Sequence, residues 1–287
     1  MGLRPLDSGK TTLAYSLVKA LRREGVNVVP VKPVGSAEAW LHPEALRWSS
    51  EHGVVVTPDA VKLSAALGGE APLDALEPVA ALHAPPDPAR WEWSPQPYQA
   101  ATADPNRTAA LIRITSCAGP GRASVHAINR QSLQRAPARI AGPLSALASR
   151  LRPPPLPVSD EDVDRLLGPQ AMVAADSCLE VAASESEVVV VESYSDVAAP
   201  TPGSLSADLV VAVAPGVAAI VEGSRYRKAV SLKGGSASPS LVSAPEAVQL
   251  AGVVGRVDLP LLEEPEEGYS AGDINRLIEA VHSLLNP

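Results

Sequence analysis

Three residues near the start of the chain, Gly9-Lys10-Thr11, have the types and the order that bind phosphate. The residues that follow, 13–25, repeat apolar positions with a helical period and end on a glycine. At the start of a helix, free backbone N–H groups and the positive end of the dipole attract a polyphosphate. The lysine can reach the terminal phosphates, and the threonine hydroxyl can ligate Mg²⁺. The pattern predicts a phosphate-binding loop whose cofactor-binding residues are Asp7, Ser8, Gly9, Lys10, Thr11 and Thr12.

The loop pattern is incomplete, because Arg4 stands where G-x-x-x-x-G-K-[ST] has its first glycine. A plain turn and helix N-terminus is therefore an alternative interpretation. The next run, Val26–Val34, is rich in β-branched residues and indicates a buried parallel strand, which favours the phosphate loop. Such a loop normally follows a strand. Since the chain begins at Met1-Gly2, we expect that first strand to be missing, through truncation or a misassigned start.

A second candidate lies much later, where the apolar run Val188–Val191 is followed directly by Glu192. Ligands of open α/β sheets bind at the carboxyl ends of the strands. A carboxylate at that edge can reach a Mg²⁺ held by the loop. We therefore predict that Glu192 is a metal ligand, with a surface acid just past a strand as the alternative.

Alternating strand and helix patterns in the second half of the chain predict a three-layer α/β fold with a mostly parallel central sheet. Strand-like runs are 171–175, 188–191, 209–213 and 248–255, and helical patterns cover 217–232 and 271–285. We expect one domain over residues 1–287. It would carry an irregular proline-rich excursion at about 70–108 and a stiff proline-rich connector at 152–158.

Composition excludes several classes of protein. The net charge of the 287-residue chain is -8 without a long basic run, so we expect no nucleic-acid partner. No apolar run approaches the ~20 residues that span a bilayer, so we expect no membrane partner. The two cysteines, Cys117 and Cys178, are not closely spaced and favour a reducing compartment. The predicted location is cytoplasmic.

Five short motifs in a fixed order resemble the dethiobiotin synthetase group of P-loop ATPases. The matches are Gly9-Lys10-Thr11, Lys32-Pro33-Val34, Pro58-Asp59-Ala60, Glu77-Pro78 and Val190-Val191-Glu192. They are spread over most of the chain. No single match is specific to this family, but the occurrence of all five in this order is fairly specific.

The resemblance implies a P-loop NTPase fold and an ATP- and Mg²⁺-dependent enzyme of kinase or ligase type, often a homodimer. Thr11, Asp59 and Glu192 would then surround Mg²⁺. Lys10 and Lys32 would be catalytic, which fits phosphoryl transfer because this chemistry needs positioning and charge neutralisation. The residues expected at the small-molecule substrate are Lys32, Ser36 and Arg113. The preference for ATP over GTP rests on the resemblance alone.

Arg113 is also singled out by its own surroundings, because it interrupts an otherwise apolar strand pattern. It could hold a substrate anion, or it could be an edge-strand arginine that reaches solvent. The chain departs from the family at Ser193-Tyr194-Ser195, where the family has small residues after the acid, so the substrate stays unknown. A nucleotide-dependent switch or maturation factor, and an inactive homologue, are the alternative functions.

Overall fold

A computed structural model describes residues 1–4, 8–69, 71–119, 121–235, 238–264 and 266–285. Asp7, a predicted loop residue, lies outside the described residues. The strands are β1 Val28–Val31, β2 Val34–Glu38, β3 Val79–His83, β4 Ala109–Ser116, β5 Ala123–Asn129, β6 Leu156–Val158, β7 Val188–Val191, β8 Leu209–Ala214, β9 Val217–Glu222 and β10 Gly255–Asp258. The α-helices are α1 Lys10–Arg23, α2 Pro43–His52, α3 Pro58–Ala66, α4 Leu73–Leu76, α5 Pro95–Ala103, α6 Pro105–Thr108, α7 Arg130–Arg135, α8 Ala138–Ala148, α9 Asp160–Leu166, α10 Pro169–Glu185, α11 Gly223–Gly234, α12 Ala244–Ala251 and α13 Asn275–Leu285.

The chain divides into two compact units, and each is assembled from separate stretches of sequence. Unit 1 comprises Met1–Pro33, Lys62–Ala71 and Leu179–Pro287. Unit 2 comprises Val34–Val61 and Pro72–Cys178. The single-domain organisation stays a prediction.

Unit 1 contains two groups of strands. β1 and β7 pair in parallel, with Val31 opposite Val191. β8, β9 and β10 form an antiparallel meander in the order β10-β9-β8. The apolar faces of α1 and α13 pack on this framework, because their buried leucines share one core cluster with Val28 and Val213.

Unit 2 is built on a mixed five-stranded sheet in the order β2-β3-β4-β5-β6. β2 and β3 are parallel, β4 is antiparallel to both of its neighbours, and β5 and β6 are parallel. α8 covers the sheet through Leu144, Leu147 and Ala148. The prediction of an α/β protein is confirmed, whereas a mostly parallel P-loop sheet stays a prediction.

Several predicted elements change type. Residues 171–175 belong to α10 rather than to a strand, because Ala-rich apolar runs fit a buried helix as well as a strand. The run 248–255 ends α12, and β10 starts only at Gly255. Residues 217–222, predicted as the start of a helix over 217–232, form β9 instead, and α11 begins only at Gly223.

The two proline-rich segments are also more ordered than predicted. The expected excursion at 70–108 contains β3, whose first four residues are fully buried between β2 and β4. Its prolines lie outside that strand, where they interrupt no ladder. The expected connector at 152–158 includes β6, which pairs with the edge of β5. Both segments therefore belong to the sheet of unit 2.

Cys117 and Cys178 form a disulfide that links the end of β4 to α10 within unit 2. The expectation of reduced thiols is wrong. Sequence spacing could not show this, because the two residues are 61 positions apart and meet only through the fold. Disulfides are typical of oxidising compartments, and the predicted cytoplasmic location stays a prediction. In the described part of the chain, no helix is long and apolar enough to cross a bilayer.

Candidate functional site

The predicted loop enters α1 through Gly9, which has the left-handed backbone conformation (φ 86°) that glycine adopts without strain. Lys10 is the first residue of the helix, and its Nζ donates to the hydroxyl of the buried Ser8 (3.2 Å). The first turn of α1 carries no acidic side chain, and Gly9 provides no side-chain cap. The N-terminal amides and the helix dipole therefore favour an anion at this end.

Parallel pairing of β1 and β7 brings Lys32 and Glu192 together. Val31 lies opposite Val191, so the next residue of each strand emerges at the same edge. Lys32 Nζ donates to Glu192 Oε1 at 3.1 Å, and the two side chains are 6% and 2% exposed. A buried carboxylate needs such a compensating charge.

The helix and the strands meet at the carboxylate. Thr11 Oγ1 donates to Glu192 Oε1 at 2.5 Å, although the two residues are 181 positions apart. The hydroxyl predicted to ligate Mg²⁺ and the carboxylate predicted for the same ion are thus in direct contact. These two predicted ligands are brought together within unit 1.

Two buried oxygen atoms beside this contact have no hydrogen-bond partner among the described residues: Glu192 Oε2 and Ser193 Oγ. Buried polar atoms are nearly always satisfied, so these two atoms require a further partner such as a water molecule, an ion or a ligand. Mg²⁺ prefers oxygen ligands and is commonly held by one or two carboxylates together with substrate phosphates. Thr11 and Glu192 fit that ligand set. The described residues contain no group of three or more His, Cys, Asp or Glu side chains that could hold a metal alone.

Sequence reasoning missed two groups at this site. The amine of Met1 donates to the carbonyl of Val211 (2.9 Å), and burial lowers its pKa to about 5. The charge of Lys10 lowers that pKa further, whereas Glu192 raises it, so the amine lies within reach of both charges. Lys62, from α3, donates to the hydroxyl of the predicted loop residue Thr12 at 3.0 Å. No local motif marks either group, because each reaches the loop through the fold.

The remaining predicted site residues belong to unit 2. Asp59 lies in the first turn of α3, and Ser36 is an exposed residue of β2. Arg113 is fully buried in β4, which has a strand on each side, so the alternative of an edge arginine reaching solvent is wrong.

The guanidinium of Arg113 is satisfied by its own unit. It donates to the backbone carbonyls of Val55 (2.8 Å) and Glu77 (2.7 Å) and to the hydroxyl of Thr115 (2.7 Å). The Glu77 carboxylate lies 3.9 Å away. Burial lowers the pKa of Arg113, and Glu77 opposes that shift. These contacts favour a structural role, and the substrate role of Arg113 stays a prediction.

The site in unit 1 thus combines a helix N-terminus, three lysines, the hydroxyls of Thr11 and Thr12, and one incompletely satisfied carboxylate. Its chemistry suits an anionic ligand that carries a hard cation. No protein-family model, curated protein or solved structure matches the chain.

Proposed function

We propose that unit 1 is an ATP-binding phosphate-loop module that catalyses Mg²⁺-dependent phosphoryl transfer to a small molecule. The observation that carries the proposal is the contact of Thr11 and Lys32 with one oxygen of Glu192, at 2.5 and 3.1 Å. This contact joins the start of α1 to the carboxyl ends of two parallel strands. The proposal includes a P-loop NTPase fold, a homodimer and the resemblance to the dethiobiotin synthetase group.

Each side chain has a defined part in this proposal. The amides of the first turn of α1, together with Lys10, bind the phosphates. Thr11 and Glu192 hold the metal ion, which would supply charge neutralisation on the phosphate oxygens. Lys32 lies beside Glu192 and neutralises charge on the transferring group when a phosphate occupies the site. The burial of Lys32 and Glu192 limits the access of water to their contact.

The test is calorimetric binding of ATP and GTP, with Mg²⁺ and with EDTA, to the chain and to four variants. Lys10→Ala removes the phosphate contact, and Thr11→Ala and Glu192→Gln remove the metal ligands. Lys19→Ala is the matched control, because it removes a lysine from the same helix about 13 Å along its axis from Lys10.

If the proposal is right, Mg²⁺-dependent ATP binding weakens at least about tenfold in the Lys10 variant and is unchanged in the control. The Thr11 and Glu192 variants should lose the Mg²⁺ dependence. Equal affinity of the chain and its Lys10 variant would contradict the phosphate loop. ATP binding with slow hydrolysis that only a protein partner accelerates would support a nucleotide-dependent switch instead.

A further inference from the structure

The loop between α2 and α3, residues 53–57, is a buried stretch of chain that belongs to no sheet. Its β-branched run favours a strand, and Val55, Val56 and Thr57 are each 0% exposed. Among the described residues, however, this run pairs with no strand. Buried backbone N–H and C=O groups need partners, and here a ladder does not supply them. The partners of this loop therefore show what holds it in place.

Side chains of unit 2 make the hydrogen bonds to this loop. Val56 N donates to Ser49 Oγ, on α2, at 2.9 Å. Val55 is held through both of its backbone groups. Its N–H donates to His126 Nε2 at 3.4 Å, and its carbonyl accepts from Arg113 Nε at 2.8 Å. His126 of β5 and Arg113 of β4 are directly opposite each other in the sheet, and both are buried. We call the contact of Val55 with these two side chains the Val55 clamp.

Only the neutral ring of His126 fits the Val55 clamp. Nε2 must have a free lone pair to accept the Val55 N–H, and Nδ1 must have a proton to donate to the carbonyl of Pro153 at 3.0 Å. The neutral tautomer with its proton on Nδ1 satisfies both contacts. Protonation of the ring adds a hydrogen to Nε2, which then faces the N–H of Val55. Two buried donors would lie against each other without an acceptor, which is unfavourable.

The surroundings of His126 also disfavour its charged form. Burial lowers the pKa of His126 from its ordinary 6.5, and the charge of Arg113 lowers it further, whereas the Pro153 carbonyl and Asp74 oppose the shift. A ring released into water takes up a proton more readily than the clamped ring. The contribution of the clamp to stability is therefore fully present above pH 6.5 and is lost as the pH falls through the lower pKa of the clamped ring.

The charged side chains on the elements packed around His126 are Arg113, Asp74, Glu77, Arg122 and Arg152. Asp74 pairs with Arg122 at 2.8 Å, and a Glu77 carboxylate oxygen lies 3.9 Å from the Arg113 guanidinium. The loop itself contributes no charged side chain. Carboxylates ordinarily titrate near pH 4 and arginines above pH 12. His126 is therefore the group of the clamp whose charge changes between about pH 5 and pH 7.

We propose that the Val55 clamp is an acid-sensitive conformational switch, in which protonation of His126 releases the Val55 N–H and opens the loop between α2 and α3. The opening is local. Arg113 keeps its contacts with the Glu77 carbonyl and the Thr115 hydroxyl, at 2.7 Å each, so the sheet of unit 2 stays paired. The released loop leads directly into α3, so its opening loosens the first turn of that helix.

The test is amide hydrogen exchange of the full chain, measured by NMR between about pH 7.5 and pH 5. Protection factors are compared rather than rates, because the intrinsic exchange rate itself changes with pH. The amides of Val55 and Val56 report the loop, and the amide of Ile112 in the central strand β4 reports opening of the sheet. We expect the loop amides to lose about fivefold or more of their protection relative to Ile112. A free histidine of pKa 6.5 sets the ceiling of that loss at about thirtyfold.

Two variants separate His126 from other titrating groups. His126→Gln carries an amide that can accept the Val55 N–H and does not titrate, so the protection of Val55 should change by less than about twofold over the same pH range. His83→Asn is the matched control. His83 is a second histidine of the same sheet, its pKa is lowered by burial to about 4, and it contacts Thr108 rather than the loop. This variant should keep the pH dependence of the loop amides.

Full pH dependence in His126→Gln, or its loss in His83→Asn, would overturn the proposal. So would an equal loss of protection at Ile112, since the whole sheet would then be opening. The ¹⁵N shifts of the His126 ring in the unmodified chain keep the test decisive if the glutamine variant does not fold. They should show the Nδ1–H tautomer at pH 7.5, and the ring should titrate with the same midpoint as the loss of Val55 protection. The other tautomer, or two separate midpoints, would also overturn the proposal.

Discussion

Replacing Lys32 by methionine should destabilise unit 1 strongly, because it leaves the Glu192 carboxylate buried without its cation. The Nζ–Oε1 distance of 3.1 Å corresponds to about 5 kcal/mol of attraction at an effective dielectric constant of 20. Breaking a buried pair by removing one partner typically costs about 3–5 kcal/mol. We therefore expect a loss of about 3–5 kcal/mol in the free energy of unfolding. Thr11 keeps its hydrogen bond to the carboxylate in this variant.

The assay is urea denaturation followed by far-UV circular dichroism, with hydrogen exchange on β1 and β7 to locate the loss in unit 1. Lys32→Met, Glu192→Gln and the double variant form a cycle that isolates the pairwise energy, which should be at least about 2 kcal/mol. Lys228→Met is the control, because this lysine is exposed on α11 of the same unit, and its cost should stay within about 0.5 kcal/mol.

A cost of less than about 1 kcal/mol for Lys32→Met, at an unchanged m value, would refute the reasoning. The same samples also test the metal site. If Thr11 and Glu192 hold Mg²⁺, millimolar Mg²⁺ should restore part of the stability lost in Lys32→Met and none of that lost in Lys32→Met/Glu192→Gln. An equal response of the two variants would contradict the metal assignment.

Three more predictions concern groups outside that pair. Burial lowers the pKa of the Met1 amine from 8.0 to about 5. Between these two pH values the amine is protonated in the unfolded chain but not in the folded one, so the free energy of unfolding should rise by up to about 4 kcal/mol from pH 5 to pH 8. N-terminal acetylation should abolish that part of the slope, and identical pH profiles before and after acetylation would contradict it. Replacing Cys117 and Cys178 by serine should lower the unfolding free energy by about 2–4 kcal/mol, since the disulfide closes a 61-residue separation; an unchanged urea midpoint would argue against the bond. Arg113→Met should cost about 3–5 kcal/mol without changing ATP affinity, whereas lost ligand binding at unchanged stability would support the predicted substrate role.

The part of the site that sequence could predict is the part that local patterns encode. Glu192 and Lys32 each follow a short β-branched run, and the end of a parallel strand is where such residues meet. The position of Gly9 and Lys10 at the start of a helix could be predicted, because the free N–H groups and the dipole of a helix N-terminus favour particular residue types there. The contact of Lys62 with Thr12 depends on tertiary packing, so no local sequence pattern predicts it.

The wrong predictions of secondary structure also arise where local sequence patterns leave the structure undecided. The run 171–175 consists of small apolar residues that suit either a helix or a strand, and packing in α10 decides between them. Proline content suggested irregular structure at 70–108, but the strand β3 needs only five residues free of proline. The sequence favoured a substrate role for Arg113 because charged residues are rare in apolar strands. Its contacts with backbone carbonyls became visible only with the sheet in place.

The whole chain is negatively charged, whereas the candidate site is rich in positive charge. We expect the charge of the site to decide which ligand binds. The chain has a net charge of -8, which by itself disfavours an anionic ligand. Lys32 nevertheless pairs with the carboxylate of Glu192, and Lys10 adds a second positive charge at the positive end of α1. Interactions among buried groups are screened by salt much less than those on the surface. ATP affinity should therefore depend only weakly on ionic strength between 50 and 300 mM salt. A steep decline would show that exposed lysines, rather than this buried arrangement, supply the binding energy.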